Sequence, residues 1–434
     1  MDYVKVVIRE VLLGVIFLFA TQFVNGQSLN STTASFSEQT SYPDFAGKDF
    51  IYYFCGTSGH QSGSLTALSS GDQVTFTWDK FTPLTGTFSY YSNETGISSR
   101  LTALADGCYR VSFREQGVDY QFRAWVMNGW INATATISDS NCQSFNLNGS
   151  AIGVDYSYSD ISTNRPVPVN SGFKYIWESN NVLMATINNP IILLPPAINT
   201  VYQLQITDRA GCMESTEVTY ESIVPKAKFS WKTDQPSEAQ YSNYQASLPV
   251  QFVNESLNGD VDKYEWFLFK EKGALEKEGA GGVIKDSIME MIYLENPAYT
   301  YNYTGSYMVK LVAAKQTPGY TCRDTIYLKN YIVIDTSLVK VAPAFTPNGD
   351  GINDELIIRT RSLQSLDFQV FNRWGRIVHR FRKNGYVPGD TVLAAWDGKI
   401  NGKLASPGVY FYVVDAQGRD GKRRRKKGYV EMVW

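Results

Sequence analysis

Apolar and polar residues alternate over short stretches along most of the chain, and Gly, Pro, Asn or Asp residues separate these stretches. Alternation with a period of two is typical of strands that bury one face, and the separating residues favour turns. Three stretches carry an aromatic-x-Trp pattern that ends at Trp78, Trp177 and Trp266. Repetition at roughly 90 to 100 residues, the size of one small sandwich, predicts an all-β protein made of tandem β-sandwiches.

The five cysteines follow the same repeat. Cys55, Trp78 and Cys108 form one Cys…Trp…Cys series, and Cys142, Trp177 and Cys212 form a second. In an immunoglobulin-like sandwich this order places the two cysteines on opposite sheets, with the tryptophan against their bridge. We therefore expect disulfides Cys55–Cys108 and Cys142–Cys212. Five buried, reduced thiols are the alternative. Cys322 is left over, and we expect it to fill a core position of the third module.

The N-terminal segment has the features of a secretory signal peptide, with two cations before an apolar run over residues 11–20. No later segment approaches the 18 apolar residues of a spanning helix. The sequence predicts the following division: 1–26 signal peptide, 27–42 flexible lead-in, 43–140 and 141–225 immunoglobulin-like sandwiches, 226–337 third module, and 338–434 C-terminal module.

The third module carries a specific pattern. A predicted strand ends in Asn-x-Ser at 254–256, a Tyr-x-Trp strand covers 264–266, and Asn-Pro at 296–297 precedes Gly-x-Tyr-x-Val at 305–309. This pattern resembles a PKD domain, which implies a sandwich that acts as a spacer or a carbohydrate-proximal binding module. The chain departs from the family pattern after the Trp strand, where an insertion up to residue 295 replaces the usual Gly-Asp-Gly turn.

The C-terminal module contains four motif blocks in order, at 344–354, 368–378, 396–403 and 407–414. The marked residues are Pro347, Asn348, Gly349, Asp350, Gly351, Asn353, Asp354, Asn372, Arg373, Trp374, Gly375, Trp396, Asp397, Gly398, Gly408 and Tyr410. Together the blocks closely resemble the gliding motility-associated C-terminal domain, the type B sorting domain of the type IX secretion system in Bacteroidetes.

That resemblance implies a route and partners. The Sec machinery would deliver the chain to the periplasm, and the type IX translocon would recognise the sorting domain and export the cargo to the cell surface or the medium. Cargo of this type is usually paired with a PorP/SprF-like outer-membrane barrel.

The residues themselves allow more than one interpretation. Asn348, Asp350 and Asp354 have the spacing of a tight turn, and a calcium loop is the less favoured alternative because Ile352 stands where a ligand is needed. Trp374 and Trp396 are predicted core residues. The apolar stretch 409–414 is predicted to be a central strand, with an exposed aromatic strip bound by a partner as the alternative.

Charge is distributed unevenly along the chain. Residues 340–434 hold 17 Lys and Arg against 9 Asp and Glu, a net of +8, whereas residues 27–339 hold 21 against 31, a net of −10. Six cations follow one another in a predicted hairpin tip: Lys422, Arg423, Arg424, Arg425, Lys426 and Lys427. They predict either a solvated loop or an electrostatic docking loop. A nucleic-acid partner is not expected in an exported protein.

No catalytic constellation is evident in the sequence. The two histidines, His60 and His379, are far apart in the chain, and no cysteines have metal-ligand spacing. We expect a non-enzymatic surface protein without a cofactor, for adhesion, gliding-associated display or assembly of a surface complex. The alternative is a glycan-binding accessory protein whose first two sandwiches hold a surface polysaccharide.

Overall fold

A computed structural model describes residues 26–235, 244–280, 287–385 and 391–433. Over these residues the chain forms 37 strands and one helix, which confirms the all-β prediction. None of the helical structure in these ranges is long and apolar enough to cross a membrane. The predicted signal peptide lies outside the described residues, apart from Gly26.

The chain divides into two compact units. The first holds the described residues up to Ser140, with Phe145–Ile192 and Thr200–Tyr220. The second holds Asn141–Ser144, Leu193–Asn199 and the described residues from Glu221 onward.

The first sandwich buries its core around Trp78, which is fully buried. Its two sheets have the strand orders β1-β4-β7 and β2-β3-β9-β8-β5-β6. Because β1 and β2 pair with β4 and β3, the prediction of a flexible lead-in at 27–42 is wrong. The strands are β1 (Ser28–Asn30), β2 (Phe36–Gln39), β3 (Phe50–Cys55), β4 (Gly63–Leu68), β5 (Val74–Thr82), β6 (Thr87–Gly96), β7 (Ser98–Leu104), β8 (Gly107–Glu115) and β9 (Val118–Gly129).

The second sandwich has sheets β10-β11-β16, β12-β13 and β15-β14-β17-β18, with Trp177 fully buried. Its first strand pairs with β11, so the predicted boundary after residue 140 is wrong and β10 belongs to this sandwich. The strands are β10 (Ile131–Ser138), β11 (Ser144–Gly153), β12 (Tyr156–Ser159), β13 (Pro166–Val169), β14 (Lys174–Ser179), β15 (Val182–Ala185), β16 (Ile191–Leu193), β17 (Thr200–Thr207) and β18 (Met213–Tyr220).

The third sandwich surrounds Trp266 with sheets β19-β20-β23, β22-β21-β25-β26 and β24-β27. Part of the insertion predicted from the sequence forms α1 and β22. The elements are β19 (Phe229–Lys232), β20 (Leu248–Asn254), β21 (Tyr264–Phe269), α1 (Lys272–Ala280), β22 (Ile288–Ile292), β23 (Ala298–Tyr301), β24 (Gly305–Tyr307), β25 (Val309–Thr317), β26 (Tyr320–Tyr327) and β27 (Ile332–Ile334).

The C-terminal sandwich packs sheet β28-β30-β33 against the five-stranded sheet β29-β37-β36-β31-β32, and β34-β35 is a small hairpin. Apolar residues on alternate positions of the long strands fill the space between the sheets. The strands are β28 (Leu338–Val341), β29 (Ala344–Phe345), β30 (Leu356–Arg361), β31 (Leu363–Phe371), β32 (Ile377–Asn384), β33 (Val392–Trp396), β34 (Lys399–Ile400), β35 (Lys403–Leu404), β36 (Gly408–Gly418) and β37 (Arg423–Met432).

Candidate functional site

Motif residues from three blocks of the C-terminal sandwich meet around Trp396, which is 2% exposed. Its ring centroid lies 5.3 Å from that of Phe345 and 5.0 Å from that of Tyr410. The indole N–H donates a hydrogen bond to the carbonyl oxygen of Lys399 at 3.0 Å, so the buried polar atom has a partner. Blocks that are distant in the sequence therefore form one core, as predicted for Trp396.

Gly398 shows why one of the motif glycines is needed. Its φ is +72°, in the left-handed region, and a Cβ atom there would lie 2.9 Å from Cγ of Pro347 and 3.2 Å from the ring of Phe345. A larger residue would be strained and would push the first block away from the third. Next to it, Asp397 accepts a hydrogen bond from the backbone N–H of Lys399 at 3.0 Å and closes the turn.

The loop at 346–354 is built by turn chemistry. One oxygen of Asp354 accepts the Gly349 N–H at 2.6 Å, and the other accepts the Gly351 N–H at 2.8 Å. Both glycines have positive φ, as does Asn353. The pKa of the Asp350 carboxyl is lowered by a backbone N–H bond and then by one from the Asn348 side chain. The carboxylates thus already serve as acceptors of protein donors, which favours the turn interpretation; calcium binding stays an untested prediction.

A second turn presents Trp374 to solvent. The Asn372 side-chain oxygen accepts the N–H groups of Trp374 and Arg376, each at 3.0 Å, and Gly375 adopts a φ of +77°. Trp374 is 82% exposed, so its prediction as a core residue is wrong. The turn extends beyond the paired ends of β31 and β32, and none of the described residues forms a second layer over the ring. The guanidinium of Arg373 lies 5.7 Å from the ring centroid of Trp374.

The cationic run is a strand and not a loop. Only Lys422 lies in the turn, and the next five cations begin β37, which pairs along its length with β36. The predicted loop conformation is therefore wrong, because strand pairing continues through the cations, and a docking role for these residues stays a prediction. Arg423 binds both oxygens of Asp415, at 2.7 and 2.5 Å. The Arg424 guanidinium holds the pKa of Asp420 down at about 2.

The turn before β37 packs on the third sandwich. Arg419 donates to the carbonyl oxygen of Asn302 at 3.2 Å. Ser362 donates to the carbonyl oxygen of Asp335 at 3.0 Å and accepts the N–H of Ala246 at 3.1 Å. The third and C-terminal sandwiches are thus joined by direct hydrogen bonds as well as by the chain.

The disulfides join sandwiches and do not lie inside them. Cys55 bonds to Cys212 with 5.2 Å between the Cα atoms, and Cys142 bonds to Cys322 with 5.3 Å. Both predicted pairings are therefore wrong, as is the prediction that Cys322 is unpaired. Cys108 is the free thiol, and burial raises its pKa.

The sheet order explains why Cys55 and Cys108 do not pair. Their strands, β3 and β8, belong to the same sheet with β9 between them. Two strand spacings separate them by about 10 Å, beyond the Cα separation that a disulfide bridges. Cys55 ends its strand in an exposed position, next to the turn that carries Cys212.

The two histidines take part in local contacts. The Nδ1 atom of His60 lies 2.6 Å from the carbonyl oxygen of Thr57, and the ring of His379 lies 6.1 Å from the ring of Trp396. Within the described ranges, no group of three or more His, Cys, Asp or Glu side chains is arranged to hold a metal ion.

The C-terminal sandwich is similar to a known family of domains. Residues 339–432 match the family model of the CHU_C type IX secretion signal domain. No curated protein matches the chain.

Solved structures that match the chain include a tetra-tandem repeat in the extending region of a large adhesion protein, with 14% identity, 86% of this chain and 96% of that chain covered, and a TM-score of 0.26. A three-immunoglobulin structure of titin domains I67–I69 shows 10% identity, 66% and 96% coverage, and a TM-score of 0.30. At these scores the matches carry no functional argument.

Proposed function

We propose that the C-terminal sandwich is a type B sorting domain that carries three non-catalytic sandwiches through the type IX secretion system to the cell surface. The observation that carries the proposal is the convergence of the motif blocks on Trp396 within the residues that match a type IX secretion signal domain. The motif residues form the core and the turns, and they therefore maintain the shape that a translocon would recognise.

The proposed route begins with Sec export and ends at the surface, where a PorP/SprF-like outer-membrane barrel is the expected partner. The cargo would serve adhesion, gliding-associated display or a surface complex. Two features support a structural role for the cargo. Its sandwiches are linked by disulfides, and the third sandwich is joined to the sorting domain by the hydrogen bonds around Ser362 and Arg419.

The test uses the full chain in a bacterium that has the type IX system and in a strain without the translocon. Surface exposure is measured by protease accessibility on intact cells, together with the amount retained in the periplasm. We expect surface exposure only when the translocon is present. A chain that lacks residues 338–434 is the control and should remain periplasmic in both strains.

Two results would contradict the proposal. The first is periplasmic retention of the full chain in the strain with the translocon. The second is surface exposure of the chain that lacks residues 338–434.

A polysaccharide ligand for the first two sandwiches is the second candidate function. Tyr90 and Tyr91 on β6 are 65% and 44% exposed, so their rings offer apolar surface to a sugar. A glycan array with the mature chain and a Tyr90→Ser/Tyr91→Ser variant tests this candidate. Equal signals from both proteins, or no signal from either, would argue against it.

A further inference from the structure

The five-stranded sheet of the C-terminal sandwich has one face in the core and one in solvent. Along β36, Tyr410, Val414 and Ala416 are buried, whereas the alternate residues Val409 and Phe411 are 46% and 47% exposed. The opposite sheet covers only the inner face, because β28, β30 and β33 pack on that side. The outer face is therefore available to another molecule.

A row of apolar side chains crosses four strands of this outer face. The register places Phe371 beside Phe411, Phe411 beside Tyr429, and Ile377 at the β32 end of the row. Ile377 is 49% exposed and Tyr429 is 65% exposed. The exposed ring of Trp374 lies in the turn at the same end of the sheet. Single exposed apolar side chains are common on soluble proteins, but adjoining ones that form a patch often mark an interaction surface.

The neighbouring rows of paired residues on this face, further from the Trp374 turn, are basic. Five cations, Arg380, Arg382, Arg423, Arg425 and Lys427, accompany two carboxylates, Asp367 and Asp415, which gives these rows a net charge of +3. Glu431 lies at the other, apolar end of the same face.

Ion pairs link arginines of the basic rows to the two carboxylates. Asp367 and Asp415 lie opposite each other in the register, and Arg382 binds Asp367 at 3.0 Å while Arg423 binds Asp415. A depression of about 470 Å³ opens between these four side chains.

We propose that this outer face, named here the aromatic-basic face, is the docking surface for a protein of the type IX machinery that presents an apolar patch flanked by carboxylates. The inference rests on the proposed export function and deepens it. The Trp, Tyr, Phe and Arg side chains are the types enriched at the centres of protein interfaces, and the excess positive charge fits an acidic flank.

A protein fits this surface better than an anionic lipid. The two carboxylates lie in the middle of the basic rows. They would repel the phosphate groups of a lipid surface, but a protein that carries both positive and negative side chains can complement them. Arginine side chains that are already held by carboxylates are also positioned for hydrogen bonds in a fixed geometry. A surface of mixed charge favours a partner that carries the complementary pattern of charges.

The experiment uses the full chain and its type IX host. One variant, Trp374→Ala/Tyr429→Ala, removes two exposed rings, and a second, Arg425→Glu/Lys427→Glu, reverses two cations. The matched controls are Leu338→Ala/Val392→Ala and Lys340→Glu/Lys403→Glu, which change exposed residues of the same sandwich on other strands. We expect each variant of the aromatic-basic face to reduce surface exposure about tenfold and to accumulate folded in the periplasm, while the controls are exported normally.

The outcomes distinguish failure of the docking face from failure of the export proposal. Normal export of both face variants, with retention of the chain that lacks residues 338–434, would overturn the docking face and leave the export proposal intact. Retention of the wild-type chain would defeat the export proposal itself. If the ring variant is degraded, the charge-reversal variant, whose side chains are exposed, decides the question alone.

Two other occupants are tested with purified protein. Binding to lipopolysaccharide vesicles that is lost in the charge-reversal variant but kept in the ring variant would overturn the protein partner in favour of an anionic lipid. Self-association in sedimentation velocity that is lost in the ring variant would overturn it in favour of a second copy of the chain. A monomer that leaves the vesicles unbound is the expected result.

Discussion

The first two sandwiches and the C-terminal sandwich are built from the same kind of strand but are held together differently. In the first unit, the Cys55–Cys212 disulfide closes a long loop and lies beside a buried cluster that contains residues of both sandwiches. The C-terminal sandwich contains no cysteine in its sequence and depends on the core around Trp396 and on its turns. The stability of the first two sandwiches therefore depends on oxidation, whereas that of the C-terminal sandwich does not.

The largest effect that we expect is the loss of the first disulfide. Cys55→Ser opens a loop with a sequence separation of 157 residues, and the chain-entropy model gives a loss of about 5 kcal/mol in the free energy of unfolding. Hydrogen exchange of β3 and β9, measured in a chain that starts at residue 27, reports the loss. Exchange of β36 should stay unchanged. Wild-type protein under reducing conditions is the control. Unchanged protection of β3 in the variant would show that the first two sandwiches do not depend on this disulfide.

A pair of tryptophan variants tests how the core stabilises the C-terminal sandwich. Trp396→Ala leaves a cavity in the C-terminal core, and we expect a loss of about 4 kcal/mol in the free energy of unfolding. Trp374→Ala removes an exposed ring and should change it by less than about 0.5 kcal/mol. Thermal unfolding of the two variants provides the measurement. Equal losses would mean that Trp374 is also covered by packing in solution.

The turn at 346–354 should contribute a smaller amount. Asp354→Ala leaves the N–H groups of Gly349 and Gly351 without their acceptor, and we expect a loss of about 2 kcal/mol. Hydrogen exchange at these glycines should rise first. Addition of calcium to the wild-type protein should leave both exchange and melting temperature unchanged; calcium-dependent protection would favour the cation loop instead.

The smallest expected effect is on the stability of the fold at low pH. Because Arg424 holds the pKa of Asp420 at about 2 in the folded chain, below the ordinary aspartate value, this carboxylate stabilises the fold above pH 4. The contribution falls away as the pH drops from about 4 to about 2, and it amounts to about 1 kcal/mol after solvent screening. Asp420→Asn should remove this part of the pH dependence of unfolding. An identical pH profile for the variant would show that the ion pair contributes nothing.

The strand pattern and the buried tryptophans were predictable because both follow from local alternation. Trp78, Trp177 and Trp266 occupy strand positions whose neighbours one residue away are polar or half-buried, and all three are fully buried. The sequence likewise predicted that Trp396 is a core residue, although not which residues surround it.

The remaining features depend on which strands become neighbours. The pairing of Cys55 could not be predicted because it depends on β9 lying between β3 and β8 in one sheet. The exposure of Trp374 depends on where the turn ends relative to the opposite sheet. A run of like charges disfavours strand pairing and so predicts a loop after Lys422, yet residues 423–427 pair in register with β36.

The two disulfides have a mechanical consequence, since their loops interleave along the sequence. Cys142 lies within the loop closed by Cys55 and Cys212, and Cys212 lies within the loop closed by Cys142 and Cys322. If every sandwich unfolds under tension, the shortest covalent path from Cys55 to Cys322 passes only through residues 142–212. Its contour is about 250 Å at roughly 3.5 Å per residue. A pulled chain would therefore stop extending early between Cys55 and Cys322, well short of the full length of that segment.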